Sequence, residues 1–158
     1  MNRKIRLMAL DIDGVITDGK VTVDSSGNEY KTFDFKDIDA LFYLHGKNIE
    51  IAFITGESGG IAELFRQRFK AGHFYQGCHA KAEALADLLN KTGIPAEECC
   101  YVGDARCDVG ALRLAGYSAA PDNAVDEARE AAKIKLEKRG GDGCIWELFR
   151  ILEDSGAI

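Results

Sequence analysis

Four short apolar runs, at residues 5–10, 49–54, 99–102 and 117–120, each pass into polar or glycine residues and then into a stretch with helical spacing. Apolar runs this short, separated by amphipathic segments, read as buried strands alternating with helices. The helical segments fall at 37–47, 59–70, 81–92, 107–115 and 124–132, with a last one near 143–154. Gly46, Gly72, Gly93 and Gly116 stand where helix C-caps are expected. Parallel strands need crossover connections, and the crossover helices cover both faces of the sheet. The alternation therefore predicts an α/β fold, a three-layer sandwich around a parallel sheet. Ligands of such folds collect beyond the carboxyl ends of the strands.

Residues 20–35, KVTVDSSGNEYKTFDF, break the alternation. β-Branched residues flank an SSGN turn, which predicts a β-hairpin projecting over the end of the first strand. The 158 residues, 46% hydrophobic and 29% charged with only 2 Pro, fit one globular domain with no linker, read here as 1–158. A net charge of −6 argues against nucleic acid and against anionic membranes as partners, because both select basic surfaces. The 5 Cys, at 78, 99, 100, 107 and 144, show no disulfide framework and are expected as reduced thiols. Asp11 and Asp13 interrupt the N-terminal apolar run before signal-peptide length, and no run approaches the ~20 apolar residues of a membrane span. A cytoplasmic location is expected.

The strand ends carry the chemistry. The first runs into Asp11, Ile12, Asp13 and Gly14, and residues two apart in an extended segment point the same way. Two carboxylates so placed suit a Mg²⁺ site, or a nucleophile with a general acid/base; an acidic turn is the plainer alternative. Thr55, Gly56 and Glu57 follow the second strand, where a hydroxyl and free amides can cradle an anion. Lys81 opens the third helical segment and can neutralise a phosphate oxygen, or serve as a surface lysine. VGDARCD places Asp104 at a strand end, able to complete a metal site, and Asp108 one helical turn later. Three roles are open to Asp108: accepting hydrogen bonds from the loop, capping the helix, or holding Lys81. His45, His73 and His79 lack metal-ligand spacing. Each group alone is ordinary; their order at successive strand ends is not.

With these residues assembled, the chain resembles the haloacid dehalogenase superfamily of phosphohydrolases, whose four motifs, DxDG, a strand ending in Thr-Gly, a downstream Lys and GDxxxD, it matches over nearly its whole length. The resemblance implies a Rossmann-like fold in which Asp11 is the nucleophile and Asp13 the general acid and then base. It further implies that Thr55, Gly56 and Lys81 bind phosphate, that Asp11, the Asp13 carbonyl and Asp104 hold Mg²⁺, and that Asp108 supports them. Neither interval that carries a cap domain in such enzymes has room for one here. A capless member takes large substrates or borrows a lid from a neighbouring subunit.

DIDGVITDG, GNEYKTFDFKD, ITGE, YQG and LEKRGGDG are similar to the small tetrameric branch acting on 3-deoxy-ulosonic acid phosphates of lipopolysaccharide and sialic-acid-type pathways. That implies a homotetramer with the lid supplied by a neighbour, and a sugar-acid phosphate as substrate. Glu57 after Thr-Gly, with LEKRGGDG, resembles the type acting on nine-carbon nonulosonate or N-acylneuraminate 9-phosphates, the reading adopted here. The eight-carbon 3-deoxy-D-manno-octulosonate 8-phosphate is the alternative, since that type usually shows Arg at this position. Arg68 could offset the Glu57 charge, and Arg139 could meet a sugar carboxylate or form a solvated basic turn. Ala105 stands where many members of the branch have a second Asp, which predicts weaker Mg²⁺ binding. A non-catalytic oligomerisation module and a phospho-acceptor receiver domain are the competing classes. Asp13 argues against both.

Overall fold

A computed structural model describes residues 4–69 and 71–158. In chain order the elements are β1 (Leu7–Leu10), β2 (Thr22–Val23), β3 (Glu29–Tyr30), α1 (Phe35–Gly46), β4 (Glu50–Ile54), α2 (Gly60–Phe69), β5 (His73–Tyr75) and α3 (Lys81–Thr92). They continue with β6 (Cys99–Val102), α4 (Val109–Leu114), β7 (Tyr117–Ala120), α5 (Asp126–Ala131), β8 (Ile134–Lys135) and α6 (Cys144–Asp154). Six strands form one parallel sheet in the order β5-β4-β1-β6-β7-β8. This is the Rossmann-like α/β sandwich expected from the alternation.

Burial on both faces explains the unbroken apolar strands. Met8 and Leu10 of β1 join Phe53, Val102, Leu41, Phe65 and Leu148 in a core under α1, α2 and α6. Leu7 and Ala9 point the other way and pack with Ile54, Tyr101, Leu85 and Leu112 under α3, α4 and α5. The period-two alternation thus divides one strand between two cores. β1 lies centrally between β4 and β6, so residues leaving its carboxyl end meet those leaving both neighbours.

Several expectations need correction. Two further strands, β5 and β8, extend the sheet at its edges; they are too short to show as apolar runs. Of the glycines read as caps, Gly93 does end α3 in the left-handed conformation. Gly46 is instead the last helical residue of α1, and Asn48 takes the left-handed turn at φ 63°. Gly116 serves close packing, since a Cβ there would overlap the Glu97 backbone. The helix foreseen at 107–115 divides into a 3₁₀ turn over Arg106–Asp108 and the short α4. Lys70, foreseen as the end of a helix, lies outside the described residues.

The hairpin is shorter than 20–35. Thr22 pairs with Tyr30 and Val23 with Glu29. Asp24 closes the turn by accepting from the amides of Ser26 (2.9 Å) and Asn28 (3.0 Å). An isolated bridge between Thr17 and Phe33 ties its base to the loop after β1. Phe33 then packs edge-on against Phe65 and Phe69 of α2.

Asp37 of α1 fastens the C-terminal helix. Fully buried, its carboxylate accepts from the amides of Gly143 (3.1 Å), Ile145 (2.9 Å) and Trp146 (3.1 Å), which have no partners within α6 because they lie at its start. Asp37→Ala leaves these amides without their acceptor and is expected to lower unfolding free energy by roughly 2 to 4 kcal/mol. Urea denaturation followed by circular dichroism measures this; a change below experimental error would show the cap to be dispensable.

Candidate active site

Asp11 leaves β1 with its amide hydrogen-bonded to the Val102 carbonyl (3.0 Å), which fixes it against the end of β6. Its Oδ1 accepts from the Ile12 amide (2.8 Å) and its Oδ2 lies 2.6 Å from Lys81 Nζ. Lys81, at the first position of α3 and 2% exposed, also meets Asp108 Oδ1 at 3.0 Å. Asp108 is fully buried and heavily bonded. The Tyr101 hydroxyl donates to Oδ1 (2.6 Å), and the amides of Asp104 (3.0 Å) and Ala105 (2.9 Å) donate to Oδ2. Asp108 therefore bonds the loop, caps the 3₁₀ turn through the Ala105 amide and holds Lys81.

The glycines of the two acidic motifs are close-approach residues. A Cβ on Gly14, which sits at φ 80°, would overlap the Asp104 carboxylate, and one on Gly103 would overlap Asp108. Gly140 and Gly141 work similarly, pressed against the backbone of Gly14 and of Thr17 and Asp18. Asn123 clamps this junction by donating to the Gly14 carbonyl (2.9 Å) and accepting from the Gly140 amide (2.6 Å). The 139–141 turn thereby sits beside the Asp13–Gly14 backbone, with the exposed Arg139 at its edge.

Carboxylate oxygens of Asp11, Asp104 and Asp108 all lie within 4.8 Å of one another. An all-oxygen, anionic donor set is what Mg²⁺ prefers. Asp108 already accepts from four donors, which leaves Asp11 and Asp104 as the two carboxylates of the cluster with capacity to spare. Burial foremost, and the Asp108 charge next, raise both of these carboxyls, Asp104 to about 6. Lys81 is held above the ordinary lysine range despite its burial, through the Asp11 and Asp108 charges, and so remains an ammonium.

Thr55 is buried at the end of β4, and its hydroxyl accepts from the Glu57 amide (3.1 Å). The loop it opens is tied down by Cys78 N to the Thr55 carbonyl (2.9 Å) and Gly77 N to the Glu57 carbonyl (2.8 Å). Gly56 allows His79 to lie alongside, since a Cβ there would sit 3.1 Å from the imidazole. Glu57 is exposed. Arg68 lies over the Phe33 ring at 5.6 Å and lines, with Lys31, Glu29, Tyr30 and Phe65, a groove of about 520 Å³ between hairpin and α2.

Asp13 has a partner that the sequence did not single out. Lys31 Nζ is 2.9 Å from both carboxylate oxygens, and the Thr17 hydroxyl donates to Oδ1 at 3.1 Å. The only available signal was the inward phase of Lys31 in EYKTF beside the exposed Tyr30. Asn123 and Tyr101 also passed unnoticed, lying in no motif.

Residues 52–148 match the family of haloacid dehalogenase-like hydrolases. The chain belongs to that family. It is thus an enzyme, a phosphatase of the Mg²⁺-using kind foreseen from its motifs. Over 148 residues it is 34% identical to 3-deoxy-D-manno-octulosonate 8-phosphate phosphatase of Salmonella typhi, covering 94% of this chain and 79% of the relative. The Moraxella catarrhalis enzyme of the same name, crystallised with a magnesium ion, a phosphate ion and a KDO molecule, superposes with a TM-score of 0.90 at 32% identity, over 96% of this chain and 87% of that one. A cobalt-bound Haemophilus influenzae counterpart gives a TM-score of 0.89 at 29% identity, over 97% of this chain and 90% of its own.

The raised carboxyls predict a pH effect. In the unfolded chain they ionise near 3.8, whereas the fold retains the Asp104 proton to about 6 and the Asp11 proton to about 7. Over that window the metal-free folded state binds more protons than the unfolded one, so its stability falls as pH rises. Mg²⁺ held by Asp11 and Asp104 would replace those protons, and above about pH 7 it would have none to displace. Millimolar Mg²⁺ is therefore expected to raise Tm more at about pH 8 than at about pH 5, as read by differential scanning fluorimetry.

Proposed function

We propose that Asp11 attacks the phosphorus of a sugar-acid phosphate monoester and that Asp13 moves the protons. The observation that carries this reading is the buried Asp11 carboxylate set between the Lys81 ammonium and the Asp104 carboxylate, with Asp13 two residues on, held by Lys31 and Thr17. A nucleophile, a fixed cation and a metal-competent carboxylate at one strand end are what in-line phosphoryl transfer requires.

Asp11, the Asp13 carbonyl and Asp104 would hold Mg²⁺, which would supply neutralisation of phosphate charge. Lys81 and the Thr55 hydroxyl bind the remaining phosphate oxygens, and the amides around Gly56 complete the cradle. As the Asp11 oxygen bonds to phosphorus, the ester bond breaks and Asp13 gives its proton to the departing sugar oxygen. Asp13 then takes a proton from the water that hydrolyses the aspartyl-phosphate.

For the sugar acid, the relatives' common activity supports 3-deoxy-D-manno-octulosonate 8-phosphate over the nine-carbon acid expected from the sequence. One observation keeps the nine-carbon reading as the second choice. Glu57 is exposed on the loop after β4, where a carboxylate suits polyol hydroxyls better than a sugar carboxylate, and the exposed Arg139 precedes the glycines docked on Gly14 and is free to take the latter. The apolar side chains left exposed by the hairpin, Val21, Val23 and Tyr30, support a homotetramer in which a neighbouring copy covers them and lids the site. Five free cysteines favour the reducing cytoplasm.

Phosphate release from both sugar acids with Mg²⁺ tests these assignments together. The eight-carbon ester is expected to show the higher kcat/KM, and Asp11→Asn to release no phosphate from either. Activity retained in that variant would sink the mechanism, and preference for the nine-carbon ester would restore the second reading. Light scattering is expected to give the mass of four chains.

A further inference from the structure

The hairpin reaches the reaction through one side chain. Lys31 leaves a segment whose neighbours Glu29 and Tyr30 are exposed, yet its own side chain is 6% exposed and its ammonium meets both oxygens of Asp13 at 2.9 Å. Burying a lysine side chain costs conformational entropy and hydration, and it persists where a charge partner holds it. Nucleophilic attack, metal binding and the phosphate cradle described above leave this lysine without a function. From the structure, we infer that Lys31 is a positioning residue for the acid/base carboxylate of Asp13, so that the hairpin sets the geometry of leaving-group protonation. This rests on the assignment of Asp13 as acid and base.

Three contacts make the arrangement rigid. Two oxygens pinned by one ammonium, and one of them also by the Thr17 hydroxyl, fix the plane of the Asp13 carboxylate. Thr17 is bridged to Phe33, two residues beyond Lys31, and Phe33 is locked against Phe65 and Phe69 of α2. Position matters because proton transfer requires hydrogen-bond reach to the departing oxygen. The step balances as follows. Electrons of the breaking P–O bond go to the sugar oxygen, the Asp13 proton follows, and the new carboxylate remains beside the Lys31 ammonium. When water attacks the aspartyl-phosphate, its proton returns to that same carboxylate. Lys31 touches neither reacting atom in this scheme.

The test exploits the leaving group. An alkoxide leaves only with a proton, whereas p-nitrophenolate leaves without one. For the Mg²⁺-loaded full chain, Lys31→Met is expected to lower kcat/KM for the sugar-acid phosphate by roughly a hundredfold. The loss for p-nitrophenyl phosphate should be at least roughly tenfold smaller, and the sugar phosphate's KM should change little. Asp13→Asn should show the same discrimination, and the double variant should lose no more than Asp13→Asn alone. Equal losses on both esters, a rise in KM alone, or additive losses in the double variant would overturn the role of Lys31 while leaving Asp13 in place. No discrimination by Asp13→Asn would overturn the acid/base assignment itself, and the inference with it. Should Lys31→Met unfold, Lys31→Gln keeps the hydrogen bond without the charge. An intermediate, alkyl-selective loss is then expected, and a uniform loss counts against the inference.

Discussion

An ammonium taken out of water has to be paired, and the Lys81 ammonium is paired with Asp11 and Asp108 at 2.6 and 3.0 Å. That one charge joins the end of β1, the first turn of α3 and the 3₁₀ turn after β6. Removing any member of the group would leave uncompensated buried charge, typically several kcal/mol of instability. The polar end of the sheet is built outward from this contact. Asp108 spends its other lone pairs on the Tyr101 hydroxyl and on two loop amides, which sets the loop that presents Asp104. Asp104 is thereby brought within reach of Asp11.

Backbones must come close for this to work, and glycine is the residue that lets them. Gly14 admits the Asp104 carboxylate, Gly103 admits Asp108, and Gly140 admits the Gly14 carbonyl. The glycines of the DxDG and GDxxxD motifs are thus as much part of the acidic centre as its carboxylates. Any side chain at these places would drive the charged groups apart. The RGG turn belongs to the same construction, since it is docked through Asn123 onto the Asp13–Gly14 segment although more than 100 residues separate the two in sequence.

The parts legible in the sequence were those that strand-end chemistry controls. β1, β4, β6 and β7 are long, apolar and buried on both faces, so period and composition revealed them; β5 and β8 are edge strands with too few residues to show a period. Asp11, Lys81, Asp104 and Asp108 could be foreseen together because a parallel sheet must bring its carboxyl ends to one side. Lys31 could not. Its contact with Asp13 depends on how far the hairpin folds back, and with two residues in each strand that reach is set by the Thr17–Phe33 bridge and the phenylalanine cluster rather than by pairing. The helix caps went astray for a similar reason: Asn48, not Gly46, tolerated the left-handed turn, and composition favours the glycine.

The placement of the hairpin belongs to the other class of information. The groove holding Arg68 and Lys31 is formed by the hairpin and α2, elements placed by aromatic packing and carrying no motif of their own. Lys31, which lines that groove, also meets Asp13, and the exposed Tyr30 and Leu64 line it too. A hairpin so weakly paired within itself takes its shape from what it packs against: α2 within the chain, and a neighbouring copy if the exposed residues are covered. A change in that aromatic contact therefore reaches the Asp13 carboxylate through Lys31.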